Sequence, residues 1–89
     1  MNVAYFVYLL ACCDDTLYCG WTTDLTARLA EHQAGRASRY TRSRLPVRLV
    51  YSEEMPTASA ARRREAAIKR RPRAAKLTLI GQDAAQPDR

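Results

Sequence analysis

Residues 3–21 read VAYFVYLLACCDDTLYCGW, and the rest of the chain can be laid out from them. Val3 to Ala11 is rich in β-branched and aromatic residues and reads as a strand buried on both faces or nearly so. Asp14-Asp15-Thr16 interrupts it, and Leu17 to Trp21 resumes an extended apolar run, so the two segments predict a β-hairpin. Side chains alternate along a strand, and Tyr8 and Tyr18 both occupy even positions. An odd-length loop, such as Cys13 to Asp15, puts both phenols on one face; an even loop separates them.

Downstream of the hairpin, Thr23 is a good N-cap and Asp24 suits the positive end of a helix dipole. Leu25 to Ala34 is therefore predicted as the first helix, closed by Gly35 as its C′ residue. Residues 36–46 form a basic loop ended by Pro46. Val47, Leu49 and Tyr51 then alternate with Arg48 and Val50 in a third strand. Thr57 caps a second helix, Ala58 to Arg71. Pro72 cannot continue that helix but suits the first turn of another, so Arg73 to Ile80 is expected as a short third helix ending at Gly81. The order β-β-α-β-α-α is an α+β arrangement, read as one domain over residues 1–81 with a flexible tail over 82–89.

The 89 residues fit one small domain and leave no room for a large substrate cavity, since a chain of this size buries only roughly 60–65% of its unfolded surface. Hydrophobic residues at 47% and charged residues at 27% are the balance of a folded protein, not of a disordered tail. The apolar stretch from Val3 to Cys13 is far shorter than the ~20 residues a membrane-spanning helix needs. It also lacks the basic start and cleavage site of a signal peptide, so no membrane partner is expected and the cytoplasm is the expected compartment. Cys12, Cys13 and Cys19 are odd in number, two of them adjacent, and no CxxC or paired histidine accompanies them. They are read as reduced packing thiols, without a structural zinc site.

Charge is distributed unevenly. Residues 1–35 carry net −3, residues 36–76 carry net +10 and residues 77–89 carry −1, within an overall +6. A basic half of this density fits a polyphosphate partner. Eleven of the 13 cations in residues 36–76 are arginines, whose planar fork matches phosphate oxygens and stacks on bases, which favours nucleic acid over an anionic membrane. Arg36, Arg39, Arg42 and Arg44 in the loop, with Arg63, Arg64, Lys69 and Arg70 on the second helix, are the candidate backbone contacts, and Trp21 and Tyr40 are candidates for the interface beside them.

Polar residues on apolar faces carry the sharper signal. At ~100° per residue, Arg28 and His32 fall within about 60° of Leu25 and border the core stripe of the first helix. The same construction puts Glu65 between Ala58 and Ala61 and opposite no solvent face, as the only acid in the second helix. An unpaired buried carboxylate costs several kcal/mol, so Glu65 needs a cation, supplied by an arginine such as Arg28, by Lys69 four residues on, or by a metal ion.

Phe6-Val7-Tyr8, Tyr18-Cys19-Gly20, Thr22-Thr23-Asp24-Leu25, Arg28-Leu29, His32, Arg39-Tyr40-Thr41, Pro46-Val47-Arg48-Leu49-Val50-Tyr51, Arg64-Glu65 and Ile68-Lys69 occur in this order over roughly residues 3–80. Together they resemble the GIY-YIG endonuclease domain, particularly its small single-domain bacterial members. The resemblance implies a small three-stranded antiparallel sheet flanked by helices, with Tyr8, Tyr18, Arg28, His32 and Glu65 around a scissile phosphate. It further implies that Glu65 holds one Mg²⁺ or Mn²⁺ and that Arg28 stabilises the pentacovalent transition state. Tyr8 or Tyr18 would position or deprotonate the attacking water, a role His32 could share or replace. Three positions depart from the family pattern. Phe6 replaces the first glycine, Trp21 stands where repair-type relatives have a lysine, and after the second helix only Gln82 approaches the position of an asparagine.

The expected function is thus a metal-dependent endonuclease acting on DNA, single-stranded or branched substrates included, with RNA a further candidate and DNA repair a candidate setting. The alternatives are a non-catalytic nucleic-acid-binding module on the same scaffold, and a basic partner of another protein such as a repair factor.

Overall fold

A computed structural model describes residues 3–84. Three strands, β1 (Tyr5–Ala11), β2 (Leu17–Thr22) and β3 (Arg48–Met55), form one antiparallel sheet in the order β2-β1-β3. The fold class and the alternation of strands and helices expected from the sequence are present, with one addition. A single helical turn, α2 (Arg39–Arg42), interrupts what reads as a basic loop. Ser38 nucleates that turn by accepting the Thr41 N–H, a cap four residues long that no apolar periodicity announces.

In the hairpin Tyr8 faces Gly20 and Leu10 faces Tyr18, with five residues between the strands, so the loop is odd and both phenols point to one side of the sheet. Asp15 adopts a positive φ of 65° there and its N–H bonds to the Cys12 carbonyl, a conformation that aspartate tolerates better than most residues.

Helix α1 (Leu25–Gln33) starts at Leu25 as the sequence suggests and ends one residue before Ala34, which is its C-cap. Asp24, not Thr23, is the N-cap, because its carboxylate accepts the Ala27 N–H at 3.0 Å, while the Thr22 hydroxyl accepts the Asp24 N–H just before it. Gly35 closes the helix with a φ of 78°, the left-handed conformation for which a glycine is needed. The Gln33 side chain then bonds both the N–H and the carbonyl of Val47, tying the end of α1 to the entry of β3.

Helix α3 (Ala58–Lys69) is capped by Thr57 as expected and stops two residues short of Arg71. Helix α4 (Arg73–Ala84) runs through Gly81 rather than ending there, because a single glycine lowers helix propensity by only about 1 kcal/mol and does not stop a helix that is already packed. Residues 85–89, within the stretch expected as a tail, lie outside the described residues. No helix among the described residues is long and apolar enough to cross a membrane.

Period-two alternation splits the core. Val7, Leu9 and Cys19 pack with Ala61, Ile68 and Leu79 on the α3–α4 side, whereas Tyr8, Leu10, Cys12 and Val47 pack with Leu25 and Leu29 on the α1 side. A bulge between Leu9 and Leu10, where the β3 partner steps from Tyr51 to Leu49, keeps both faces filled. On the α3 side Arg64 forks onto Glu53, which also accepts the Tyr51 hydroxyl at 2.8 Å, locking α3 to β3.

Candidate active site

Tyr8 stands on the central strand and reaches β2 because its partner there, Gly20, has no side chain. A Cβ built on Gly20 would lie 2.5 Å from Tyr8 Oη and 3.2 Å from the Tyr18 ring. The Tyr8 hydroxyl instead meets His32 Nε2 at 2.9 Å, and His32 Nδ1 meets the Thr41 hydroxyl at 2.9 Å. Tyr8, His32 and Thr41 are 3%, 1% and 0% exposed, so this chain of polar groups is almost wholly buried. Buried polar groups of this kind are tolerated when every one is hydrogen-bonded, and among the described residues no buried side-chain nitrogen or oxygen lacks a partner.

Tyr18 closes the outer side. Its ring meets the His32 ring edge-on at 5.1 Å, tilts against Tyr8 at 6.5 Å and stacks on Tyr40 of α2 at 6.0 Å. Beside it opens a cleft of about 260 Å³ lined by Tyr18, Cys19, Tyr40, Lys69 and Lys76. The two tyrosines thus differ in access, Tyr8 lying beneath and Tyr18 forming part of the cleft wall.

Electrostatics draws in the two helical residues. Burial pushes the Tyr8 phenol far above its ordinary value of 10.0, the neighbouring Tyr18 pushes the same way, Arg28 of α1 opposes, and Glu65 of α3 adds to the rise. The charges of Arg28 and Glu65 therefore both bear on the Tyr8 hydroxyl from different helices. Burial, helped by the Arg28 charge, also lowers His32 below its ordinary value, which leaves its imidazole neutral and able to accept a proton at neutral pH.

Glu65 lies on the far side of the edge strand. The Cys19 thiol lies 3.9 Å from the Glu65 backbone carbonyl, and burial together with the Glu65 charge pushes that thiol up to about 11. The Glu65 carboxylate, mostly buried, pairs with Lys69 one turn on, at 3.4 Å. No group of three His, Cys, Asp or Glu side chains gathers among the described residues, so the protein offers a divalent ion one carboxylate rather than a cage. That donor set fits Mg²⁺, which keeps most of its waters and is completed by substrate phosphate.

The cationic residues fall into three situations. Arg39 and Arg42 are exposed on α2, Arg36 is exposed beside Glu31 at 3.6 Å, and Arg63 and Arg70 are exposed on and after α3. Lys69 borders the cleft, and Arg44 lies 3.9 Å over the Tyr40 ring while its Nε binds Asp14 at 3.0 Å, bracing α2 against the hairpin. Arg64 does not join the cations around Glu65, because its fork is taken by Glu53 on the β3 side.

Trp21 is not brought to the tyrosines either. It pairs with Val7, packs against Tyr5 at 6.3 Å and lies under Arg62 on the α3 face, since its odd position inverts the parity of Tyr18. Thr41, quoted from the sequence only within Arg39-Tyr40-Thr41 and given no site role, lies at the site together with Ser38 and Lys76, which the sequence did not single out. The serine three residues before Thr41 is the one sequence signal of a capped turn.

The GIY-YIG catalytic domain is the family whose model matches this chain, over residues 4–78. A UPF0213 protein of Streptococcus sanguinis is 53% identical over 79 residues, 89% of this chain and 90% of its own length. A UPF0213 protein of Natronomonas pharaonis is 46% identical over 83 residues, 93% of this chain and 98% of its own. In three dimensions the chain is similar to the solution NMR structure of a UPF0213 protein from Bacillus halodurans, with a TM-score of 0.60 at 35% identity, covering 93% of this chain and 88% of that one. A protein of E. faecalis, also solved by NMR, gives a TM-score of 0.64 at 32% identity, covering 96% and 91%.

Proposed function

Because this chain belongs to the GIY-YIG catalytic-domain family, whose domains are nucleases acting on DNA, we propose that it is a cytoplasmic, divalent-metal-dependent endonuclease. It hydrolyses phosphodiester bonds in DNA according to structure or strandedness more than base sequence, with repair as its setting. One observation carries this reading, the bond of 2.9 Å between the Tyr8 hydroxyl and His32 Nε2. A module that only grips backbone has no use for a neutral imidazole buried against a tyrosine hydroxyl.

The chemistry follows from who holds protons. Tyr8 is protonated at neutral pH, so it does not act as a preformed phenolate. Its oxygen takes a proton from the attacking water as its own proton passes to His32 Nε2, and the water oxygen bonds to phosphorus while the 3′ oxygen leaves. Tyr18, on the cleft wall, orients the water. Arg28 stabilises the added negative charge of the pentacovalent transition state. Glu65 is the residue that would hold Mg²⁺ or Mn²⁺, and the ion supplies neutralisation of the phosphate and the leaving oxygen. Lys69, which pairs with Glu65 at 3.4 Å, borders the cleft and would meet the backbone there.

The test is cleavage of nicked, flapped and single-stranded DNA with Mg²⁺, Mn²⁺ or EDTA, comparing the wild type with Glu65→Ala. The expected result is metal-dependent cutting that EDTA and the substitution abolish. Binding without cutting by the wild type would replace the nuclease with a binding module. In either case five or six phosphate contacts imply a log-log salt slope of about −5 on duplex DNA, and a flat salt response would remove nucleic acid as the ligand.

A further inference from the structure

We propose that Thr41 is a positioning residue for catalysis: its hydroxyl oxygen accepts His32 Nδ1–H and so fixes the imidazole tautomer whose free Nε2 lone pair faces Tyr8. The catalytic consequence rests on the nuclease reading; the tautomer does not.

Counting protons assigns the directions. The Thr41 hydroxyl has one proton and lies 3.0 Å from Ser38 Oγ and 3.5 Å from the Ser38 carbonyl, while Ser38 Oγ already accepts the Thr41 N–H at 3.1 Å. Thr41 Oγ1 can give its proton to Ser38 and keep a lone pair towards His32 Nδ1, at 2.9 Å; the Ser38–Thr41 bond admits either donor, so the direction is set at the other end of the chain of groups. At the other end the Tyr8 hydroxyl makes one hydrogen bond among the described residues, to Nε2. A buried phenol that retains its proton needs an acceptor for it, and the reverse tautomer would aim N–H against O–H. The Tyr8 end therefore favours the Nδ1-protonated tautomer, and Thr41 Oγ1 is the acceptor placed to hold that proton. The groups facing the imidazole are Tyr8 on β1, Tyr18 on β2, Arg28 on its own helix and Thr41 on α2, and none of them is a carboxylate that could hold the ring as imidazolium.

Thr41 also sits between Arg39, Tyr40 and Arg42 on a turn of four residues. The segment that presents cations to a DNA backbone is thus the segment that sets the proton acceptor, and displacing one displaces the other.

The chain has one histidine, so a two-bond ¹H–¹⁵N correlation spectrum of labelled protein reads His32 without assignment. In the wild type at neutral pH, Nδ1 should be the protonated nitrogen. Thr41→Val, which keeps shape but removes the acceptor, should move the proton to Nε2 in a large fraction of molecules, and Thr41→Ser should restore it. In cleavage assays Thr41→Val should lower kcat about 10- to 100-fold with KM unchanged, the scale for groups that orient a histidine, and Thr41→Ser should recover most of it.

An Nε2-protonated wild type, or a Thr41→Val spectrum identical to the wild type, overturns the proposal. If Thr41→Val fails to fold, the wild-type tautomer decides alone. A protein that shows the expected tautomer and its shift but cuts no DNA retains the positioning role and loses the nuclease reading, so the two failures are told apart.

Discussion

On one side of the sheet Val7, Leu9 and Cys19 meet Ala61, Ile68 and Leu79 through packing, with the Arg64–Glu53–Tyr51 bonds at the rim. On the other side Tyr8 and Tyr18, from the same two strands, meet His32 through a hydrogen bond and ring edges. Residues adjacent in sequence thus feed different layers. The dry layer supplies the hydrophobic stabilisation that a domain of this size has little of, and this allows the other layer to spend positions on polar groups that must each be satisfied. Substitutions on the two sides should therefore separate folding from cutting.

The largest separation is expected at Tyr8. Tyr8→Phe removes the proton path and should lower cleavage about 10²- to 10⁴-fold, the range for a lost general acid–base group. It leaves His32 Nε2 without a partner, at about 1–3 kcal/mol in denaturant unfolding. Near wild-type cutting by this variant would end the relay.

Gly20→Ala comes next. Its methyl would fall 2.5 Å from Tyr8 Oη and 2.7 Å from Cζ, so the phenol must move away from His32. Overpacking of this kind costs about 1–3 kcal/mol, and cleavage should fall with it beyond what the unfolded fraction explains. On the dry side, Ile68→Val should lower unfolding free energy by about 0.5–1.5 kcal/mol and leave the cleavage rate per folded molecule unchanged. Slower cutting by folded Ile68→Val would show that the two layers are coupled.

What could be read from the sequence follows the same division. Period-two arithmetic made the pairing of Tyr8 with Tyr18 depend on an odd hairpin loop, and helical arithmetic put His32 at the border of its core stripe and Glu65 inside its own, because these readings use local geometry alone. The parity that pairs the tyrosines also excludes Trp21 from their face, so that residue's position was legible though read otherwise. Four features escaped. The α2 turn is too short to have a period, the Asp24 cap competes with a neighbouring threonine of similar propensity, and the Glu53–Arg64 pair joins residues 11 apart on different elements. Thr41 escaped for the same reason, since nothing local distinguishes a threonine that accepts from a histidine nine residues away.

The smallest expected effect compares the two sides by acid titration. Burial, with Arg28 second, depresses His32 in the folded state below the 6.5 of the free side chain. Between those two values the unfolded chain binds more protons, so stability rises with pH there: it is fully present above the unfolded value, declines as pH falls below it, and levels off below the folded value. Glu53 titrates lower. Burial alone would raise it, but the Arg64 and Tyr51 hydrogen bonds outweigh that and hold it below 4.5, so its contribution is present above its unfolded value and lost as pH falls through its folded one. Urea midpoints between about pH 8 and pH 3 should then show two steps, neither exceeding about 1.4 kcal/mol for each unit of pKa displacement. His32→Gln should remove the upper step and Glu53→Gln the lower. The pH at which the wild type loses cleavage should follow the upper step's folded value, because the same neutral imidazole both stabilises that layer and accepts the proton. An upper step that survives in His32→Gln would mean that the acid sensitivity of the relay side resides in another group.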